Sequence, residues 1–195
     1  MFIDYVTLLL VNTAAGFFML ACYLVRGIEA EHQGSWAVSF SMVGVVSLAG
    51  GFLMVLRWPL PGPFNMAFGE LSLYFGLLLL GAGLCMAKGF DLKPVGTYGI
   101  FAGLAALFIG IRIMELGLTH EPTISGVAFV LSGVAGVAAL PLLQLKSSRS
   151  LRLLAAAVLL VISVLWARTG YKAYWGHMKD FGKWVPSTAQ LAAEK

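Results

Sequence analysis

Long apolar runs separated by short polar connections extend along almost the whole chain. Each of six runs has, or nearly has, the about 20 residues that a helix needs to cross the hydrocarbon core of a bilayer. The runs are Tyr5 to Val25, Trp36 to Leu56, Ala67 to Ala87, Val95 to Leu118, Thr123 to Leu145 and Leu151 to Ala167. They are continuously apolar and rich in Gly and Ala, whereas the strands of a membrane β-barrel alternate apolar and polar residues. The pattern therefore predicts an all-α fold, a polytopic bundle of about six transmembrane helices.

The residues after the sixth run are amphipathic. Apolar side chains recur every three or four residues between Tyr171 and Phe181, and lysines lie on other faces of the same predicted helix. Helices of this kind lie flat in the membrane interface. We therefore predict a single transmembrane domain over residues 1–170 and an interfacial amphipathic tail over residues 171–195.

The composition agrees with a membrane protein. Of the 195 residues, 59% are hydrophobic and 11% are charged, and the mean hydropathy is +0.88, which lies outside the range of soluble domains. The first run carries Asp4 at its start and no early Lys or Arg, so we expect a retained helix and not a cleaved signal peptide. The lipid bilayer is the expected partner, and nothing in the chain predicts binding to nucleic acid.

An even number of spans places both termini on the same side of the membrane, which we call side A. Side A also carries loops 57–66 and 119–122, and the opposite side B carries loops 26–35, 88–94 and 146–150. The loops and flanks of side B hold Arg26, Lys88, Lys93, Lys146, Arg149 and Arg152. Side A has fewer Lys and Arg residues until those of the tail are counted, and the N-terminal flank has no Lys or Arg. The positive-inside rule then favours a cytoplasmic side B, with both termini outside.

Small residues predict how two of the spans pack. Gly99 and Gly103 form a GxxxG pair in the fourth run, and Ala106 and Gly110 continue the stripe, which allows another helix to approach closely. The sixth run has only Ser163 as an interior polar residue. We therefore expect the sixth helix to be peripheral and to face lipid.

The connection WPLPGPFNMAFGE, residues 58–70, is unusual between two apolar runs. Its three prolines forbid helix and lack N–H donors, so they predict a rigid extended or re-entrant segment. Asn65 is a favoured N-cap residue, so the third helix is expected to begin there. Glu70 then lies in its first turns, where the helix dipole favours a carboxylate.

Polar side chains inside the spans gather near side A. Ionisable groups within a membrane are costly and are candidates for a functional site. The predicted polar cluster comprises Asn12, Arg57, Asn65, Glu70, Arg112 and Glu115. Arg112 and Glu115 are three residues apart and can pair on one helix face. In the structural interpretation Glu70 pairs with Arg57 or Arg112, and in the functional one the cluster binds a ligand.

Acidic residues exceed basic ones at side A when the tail is left out, which favours a cation or a proton. A metal ion would be held by His120, Glu70, Glu115 and Glu121, although no dense ligand motif supports this set. Haem is disfavoured because all three histidines lie at or beyond the ends of the spans. No cofactor follows from the sequence, and a divalent metal stays open.

The two loop motifs WPLPGPFNMAFGE and LTHEP, residues 118–122, resemble a family of uncharacterised small integral membrane proteins of bacteria and archaea, filed as a domain of unknown function. The resemblance implies a multi-pass protein of the prokaryotic inner membrane. It implies no activity, cofactor or catalytic residue.

Two classes of function stay open at this point. In one, the polar cluster binds a cation, a proton or another small ligand, with transport as one form of this function. In the other, the protein is an accessory or structural subunit, with a membrane-protein partner or as a homo-oligomer, and the cluster only ties helices together. The sequence has no nucleophile–base pair and no Gly-rich phosphate loop, so an enzyme is not expected.

Overall fold

The computed structural model describes residues 4–145 and 147–180. These residues form six long helices and contain no strand. The helices are α1 Tyr5–Cys22, α2 Gly34–Arg57, α3 Leu71–Lys88, α4 Lys93–Glu115, α5 Pro122–Gln144 and α6 Arg149–Asp180. Each is long and apolar enough to cross a membrane once the short extensions of α1 and α3 are included. The predicted all-α bundle of six spans is therefore confirmed.

Two of the helices are extended by a π-helical segment. Tyr23–Gly27 continues α1 toward side B, and Asn65–Glu70 leads into α3 from side A. In the first segment the carbonyl of Tyr23 accepts the N–H of Ile28 at 2.9 Å, five residues further on. Such wide turns are rare and occur frequently at functional sites.

The helices pack mainly as three pairs, α4 with α5, α2 with α3 and α1 with α6. Glycines on both members of the first pair allow the closest approach: a methyl group placed on Gly103 would lie 2.6 Å from the carbonyl oxygen of Gly133. Gly99 meets Gly136 in the same way one turn away. The close packing predicted from the GxxxG stripe is confirmed.

The sixth helix is not peripheral, contrary to the prediction. Ala156, Ile162 and Trp166 are buried, and Ser163 donates a hydrogen bond at 2.8 Å to the carbonyl of Ala14 in α1. Gly170 also lies directly against α1. Because these contacts come from small or apolar residues, their pattern in the sequence does not differ from that of a lipid-facing helix.

The sixth helix extends into the predicted amphipathic tail. Residues 171–180 continue the same helix, and no proline interrupts the chain between Ala167 and Asp180. With 32 residues, α6 is about 48 Å long, which exceeds the about 30 Å hydrocarbon core. The interfacial position of the tail stays a prediction, and residues 181–195 lie outside the described residues.

The close approach of α4 and α5 leads to a first prediction. Gly103→Ala should lower the free energy of unfolding by about 1–3 kcal/mol, since the added methyl group has no room against the backbone of α5. Gly81→Ala is the control, because its methyl group would meet Val95 at an ordinary 3.7 Å. Unfolding in mixed detergent micelles measures both. Equal stability of the two variants would show that this contact does not hold the bundle.

Candidate functional site

Asn65 closes the proline-rich loop on side A. Its side-chain oxygen accepts the N–H of Leu60 at 3.1 Å, and its amide nitrogen donates to the carbonyl of Leu60. Leu60 stands between Pro59 and Pro61 and is half-buried, and its N–H and C=O need partners where water has little access. The third helical span begins at Asn65 as predicted, but the predicted N-cap is wrong, because the fully buried side chain points back to the loop.

Asn12 ties two helices together. Its amide nitrogen in α1 donates to the carbonyl of Val43 at 2.9 Å and to the hydroxyl of Ser47 at 2.8 Å, both in α2. Polar contacts of this kind hold helices together in lipid, where no water competes for the donor. The described contacts of Asn12 are therefore structural.

Among the four remaining residues of the predicted cluster, the described contacts join only Arg112 and Glu115. Arg112 and Glu115 pair at 2.6 Å, and both side chains are more than half exposed. Arg57 is exposed and Glu70 is half-buried. Among the described contacts, neither Arg57 nor Arg112 lies within ion-pairing distance of Glu70, so the predicted structural partner of Glu70 is not found.

Glu121 is held by two cations of α6. Its two oxygens contact Arg168 at 2.6 and 3.2 Å, and Lys172 contacts one of them as well. The hydrogen bonds from Arg168 and then Lys172 lower the pKa of the Glu121 carboxyl to about 2. This network joins the connection between α4 and α5 to the side A half of α6.

A second polar contact on side A joins the two ends of the chain that the structure describes. His177 Nδ1 lies 2.6 Å from a carboxylate oxygen of Asp4 and 3.2 Å from the hydroxyl of Thr7. The other carboxylate oxygen of Asp4 caps α1 through the N–H of Thr7. At side A, α1 and α6 are therefore joined by contacts among Asp4, Thr7 and His177, and these side chains already have partners within the protein.

The predicted metal set is not assembled. Within residues 4–145 and 147–180, no three His, Cys, Asp or Glu side chains come close enough to hold one ion. His120 is exposed, and the oxygens of Glu121 and Glu115 are bound to basic groups. Cation binding by this cluster stays a prediction that the geometry does not support.

A cavity of about 760 Å³ lies between the helices of the bundle. Residues of all six helices line it, and most of them are aliphatic or aromatic. At its side A end lie Phe68, Phe129 and Trp166, and at its side B end lie Ile28, Leu92 and Leu151. Volumes of about 300–1,000 Å³ are typical of sites for small molecules.

The polar groups of the cavity wall are largely satisfied by the protein. Trp166 donates its indole N–H to Ser132 at 3.0 Å, and the Ser132 hydroxyl donates to the carbonyl of Ala128. Ser72 likewise donates to Phe68 of its own helix. Among the described residues that line the cavity none is charged. The wall therefore suits an apolar molecule.

Residues of α5 and α6 that line the cavity are exposed toward side B. The two helices meet near side A, where the rings of Phe129 and Trp166 are 4.8 Å apart. Toward side B, Val134 and Leu154 line the cavity and are also exposed. Pro141, which lacks the N–H of a helical hydrogen bond, lies on the same edge of α5. An opening between α5 and α6 at this level would face the hydrocarbon region of a bilayer.

A buried arginine lies beside the side B end of the cavity. Only 7% of the Arg152 side chain is exposed, and its Nη2 pairs at 2.6 Å with Glu29, whose side chain is 70% exposed. The sequence interpretation counted Arg152 among the loop cations of side B and missed its burial. A usable signal was present, since Arg152 stands between leucines in the first turn of an apolar run.

The chain belongs to DUF981, a family described as proteins of unknown function, whose sequence pattern matches residues 1–180. The resemblance inferred from the two loop motifs is therefore confirmed. No curated protein and no solved structure was found to match the chain.

The loop closure by Asn65 predicts a large effect of a small change. Asn65→Leu removes both hydrogen bonds to Leu60, and Asn65→Asp keeps the acceptor but places an oxygen against the Leu60 carbonyl. Both variants should lose about 1–3 kcal/mol of unfolding free energy, because buried backbone groups are left unpaired. Met66→Leu, an exposed neighbour, is the control. Unchanged unfolding of both Asn65 variants would contradict this role.

The lowered pKa of Glu121 predicts a pH dependence. Because the folded state favours the carboxylate, the stabilisation is fully present above the ordinary pKa of about 4.5 and is lost as the pH falls through about 2. Wild type and Glu121→Gln should differ in melting temperature at pH 7 and converge as the pH approaches 2. Glu31→Gln, on an exposed side B loop, controls for the lost charge. A difference that stays constant from pH 7 to 2 would refute the ion pair.

Proposed function

We propose that this member of the DUF981 family binds a small, largely apolar molecule from the bilayer in its central cavity. The cavity and the exposed residues of α5 and α6 that line it carry the proposal. An apolar wall offers little to an ion or a sugar, but it releases water when apolar surface enters. A side opening toward lipid also gives such a molecule a route that does not cross an aqueous phase.

The polar cluster of side A has a structural role in this proposal. Asn12, Asn65, Glu115 and Glu121 each contact groups of the protein that satisfy them. Among the acidic residues at this face, Glu70 is without a described partner, so it is the residue through which a proton or cation would act. A divalent ion that stabilises the wild type but not Glu70→Gln would favour the cation function instead.

The proposed orientation of the protein in the membrane rests on the charges of the side B loops. Their excess of Lys and Arg supports a cytoplasmic side B, so the open half of the cavity would lie in the inner leaflet. Cysteine labelling at exposed Ser148 with an impermeant reagent tests this assignment once Cys22 and Cys85 are replaced. Labelling in intact cells would reverse it.

Fluorescence quenching tests binding in the cavity. Trp166 lies on the cavity wall and is 3% exposed, so a protein with Trp166 as its only tryptophan reports on that space. We expect a brominated stearic acid methyl ester to quench Trp166 saturably. A protein that keeps only Trp175, 84% exposed at the outer surface, should show quenching that rises with the ester content of the bilayer without saturation.

A matched pair of variants separates the cavity from the lipid surface. Ala155 lines the cavity, whereas Ala157, two residues further along α6, is exposed on the outer face. Ala155→Phe should fill part of the cavity and weaken the saturable quenching at least about tenfold, by analogy with overpacking of a filled core. Ala157→Phe should leave it unchanged. Quenching that does not saturate, or equal binding by both variants, would leave a structural subunit as the better explanation.

A further inference from the structure

We propose that the ligand of the cavity is an acidic amphiphile, whose apolar tail lies in the cavity and whose carboxylate or phosphate is bound by Arg152 at the side B end. This inference rests on the proposed function and adds the chemical class of the ligand. It also assigns a specific role to the buried arginine.

The guanidinium of Arg152 has unused hydrogen-bonding capacity. Glu29 occupies Nη2, whereas Nε and Nη1 are buried and have no hydrogen-bond partner within the part of the chain that the structure describes. These two nitrogens carry three of the five N–H donors of an arginine. Buried donors are nearly always paired, so a missing acceptor is expected here.

Arg152 lies next to residues of α6 that line the cavity, although it does not itself line it. Leu159, seven residues or two helical turns further along, lines the cavity. Leu151, the residue before Arg152, lines it as well, and so does Ile28, the residue before Glu29. The ion pair is thus adjacent to the side B end of the cavity.

Glu29 is well placed to be exchanged for an external anion. Its carboxylate makes one contact with the guanidinium and is mostly exposed to solvent, so it can move into water at little cost. An incoming carboxylate or phosphate can then use two adjacent N–H groups in the fork geometry that arginine offers to such groups.

The backbone around Glu29 is irregular in a way that fits a binding site. The π-helical segment Tyr23–Gly27 ends two residues before Glu29, and Tyr23 and Leu24 from that segment line the cavity. In the following loop, the side-chain oxygen of Gln33 is also buried and without a partner among the described residues, while its nitrogen donates to the carbonyls of Gly27 and Ala30. Two unsatisfied polar side chains thus occur at this end of the bundle.

Competition between charged and neutral probes of equal chain length tests the inference. In the protein with Trp166 as its only tryptophan, brominated stearic acid at about pH 8 should quench with an affinity at least about tenfold above that of its methyl ester, as expected for a charge-assisted hydrogen bond. Arg152→Gln should remove this preference and leave binding of the ester unchanged. Phosphatidic acid with brominated chains, compared with its phosphatidylcholine analogue, shows whether a phosphate headgroup is preferred to the carboxylate.

Two further variants exclude simpler explanations. Arg149→Gln removes an exposed arginine one turn away and should leave the preference for the acid intact, whereas loss of the preference there would indicate general attraction to a basic surface. Glu29→Gln removes the competing carboxylate and should raise the affinity for the acid severalfold. A purely structural ion pair predicts no such gain.

The outcomes separate the inference from the proposed function. Saturable binding of the ester together with equal affinity for acid and ester overturns the inference and leaves the proposed function standing. Absence of saturable quenching by every probe overturns both. If Arg152→Gln does not fold, Glu29→Gln still decides, because unchanged or weaker binding of the acid in that variant contradicts the exchange of anions.

Discussion

The structure depends on one constraint of the bilayer, which is that polar groups removed from water must find partners inside the protein. Asn65 meets this constraint for the loop by bonding both backbone groups of Leu60, and Asn12 meets it between α1 and α2. The indole of Trp166 is satisfied by Ser132. Against this background the unpaired nitrogens of Arg152 are an exception, and exceptions to a constraint this costly are where a ligand is expected.

The cavity follows from the way the helices pair. Apolar side chains gain little by meeting each other in lipid, so close approach through small residues decides which helices associate. Glycines bring α4 against α5 and α2 against α3, as the contact of Gly44 with Leu80 shows, while α1 packs along α6. Three pairs that are tight within themselves meet one another less closely, and the space left at their centre is the cavity.

Helix number and the packing face of α4 could be read from the sequence, because hydropathy over about 20 residues and the spacing of glycines are local properties. The pairing of Arg112 with Glu115 is local for the same reason. The partner of Asn65 could not be predicted, since it depends on the path of the proline-rich loop. The leucines on either side of Arg152 indicate a buried position, but hydropathy alone places a cation at the end of a span in the interface, and only the position of α1 relative to α6 removes it from water.

The two ends of α6 differ in the polar contacts that hold them. At side A, Glu121 binds Arg168 and Lys172, and Asp4 contacts His177, so the helix is fixed to both the α4–α5 connection and the start of α1. At side B, its described ion pair is the one between Arg152 and the exposed Glu29. The edge of α5 there carries Pro141. Polar contacts that fix α6 therefore concentrate at one membrane face, and the proposed entry between α5 and α6 lies toward the other, where the guanidinium of Arg152 has nitrogens without a described partner.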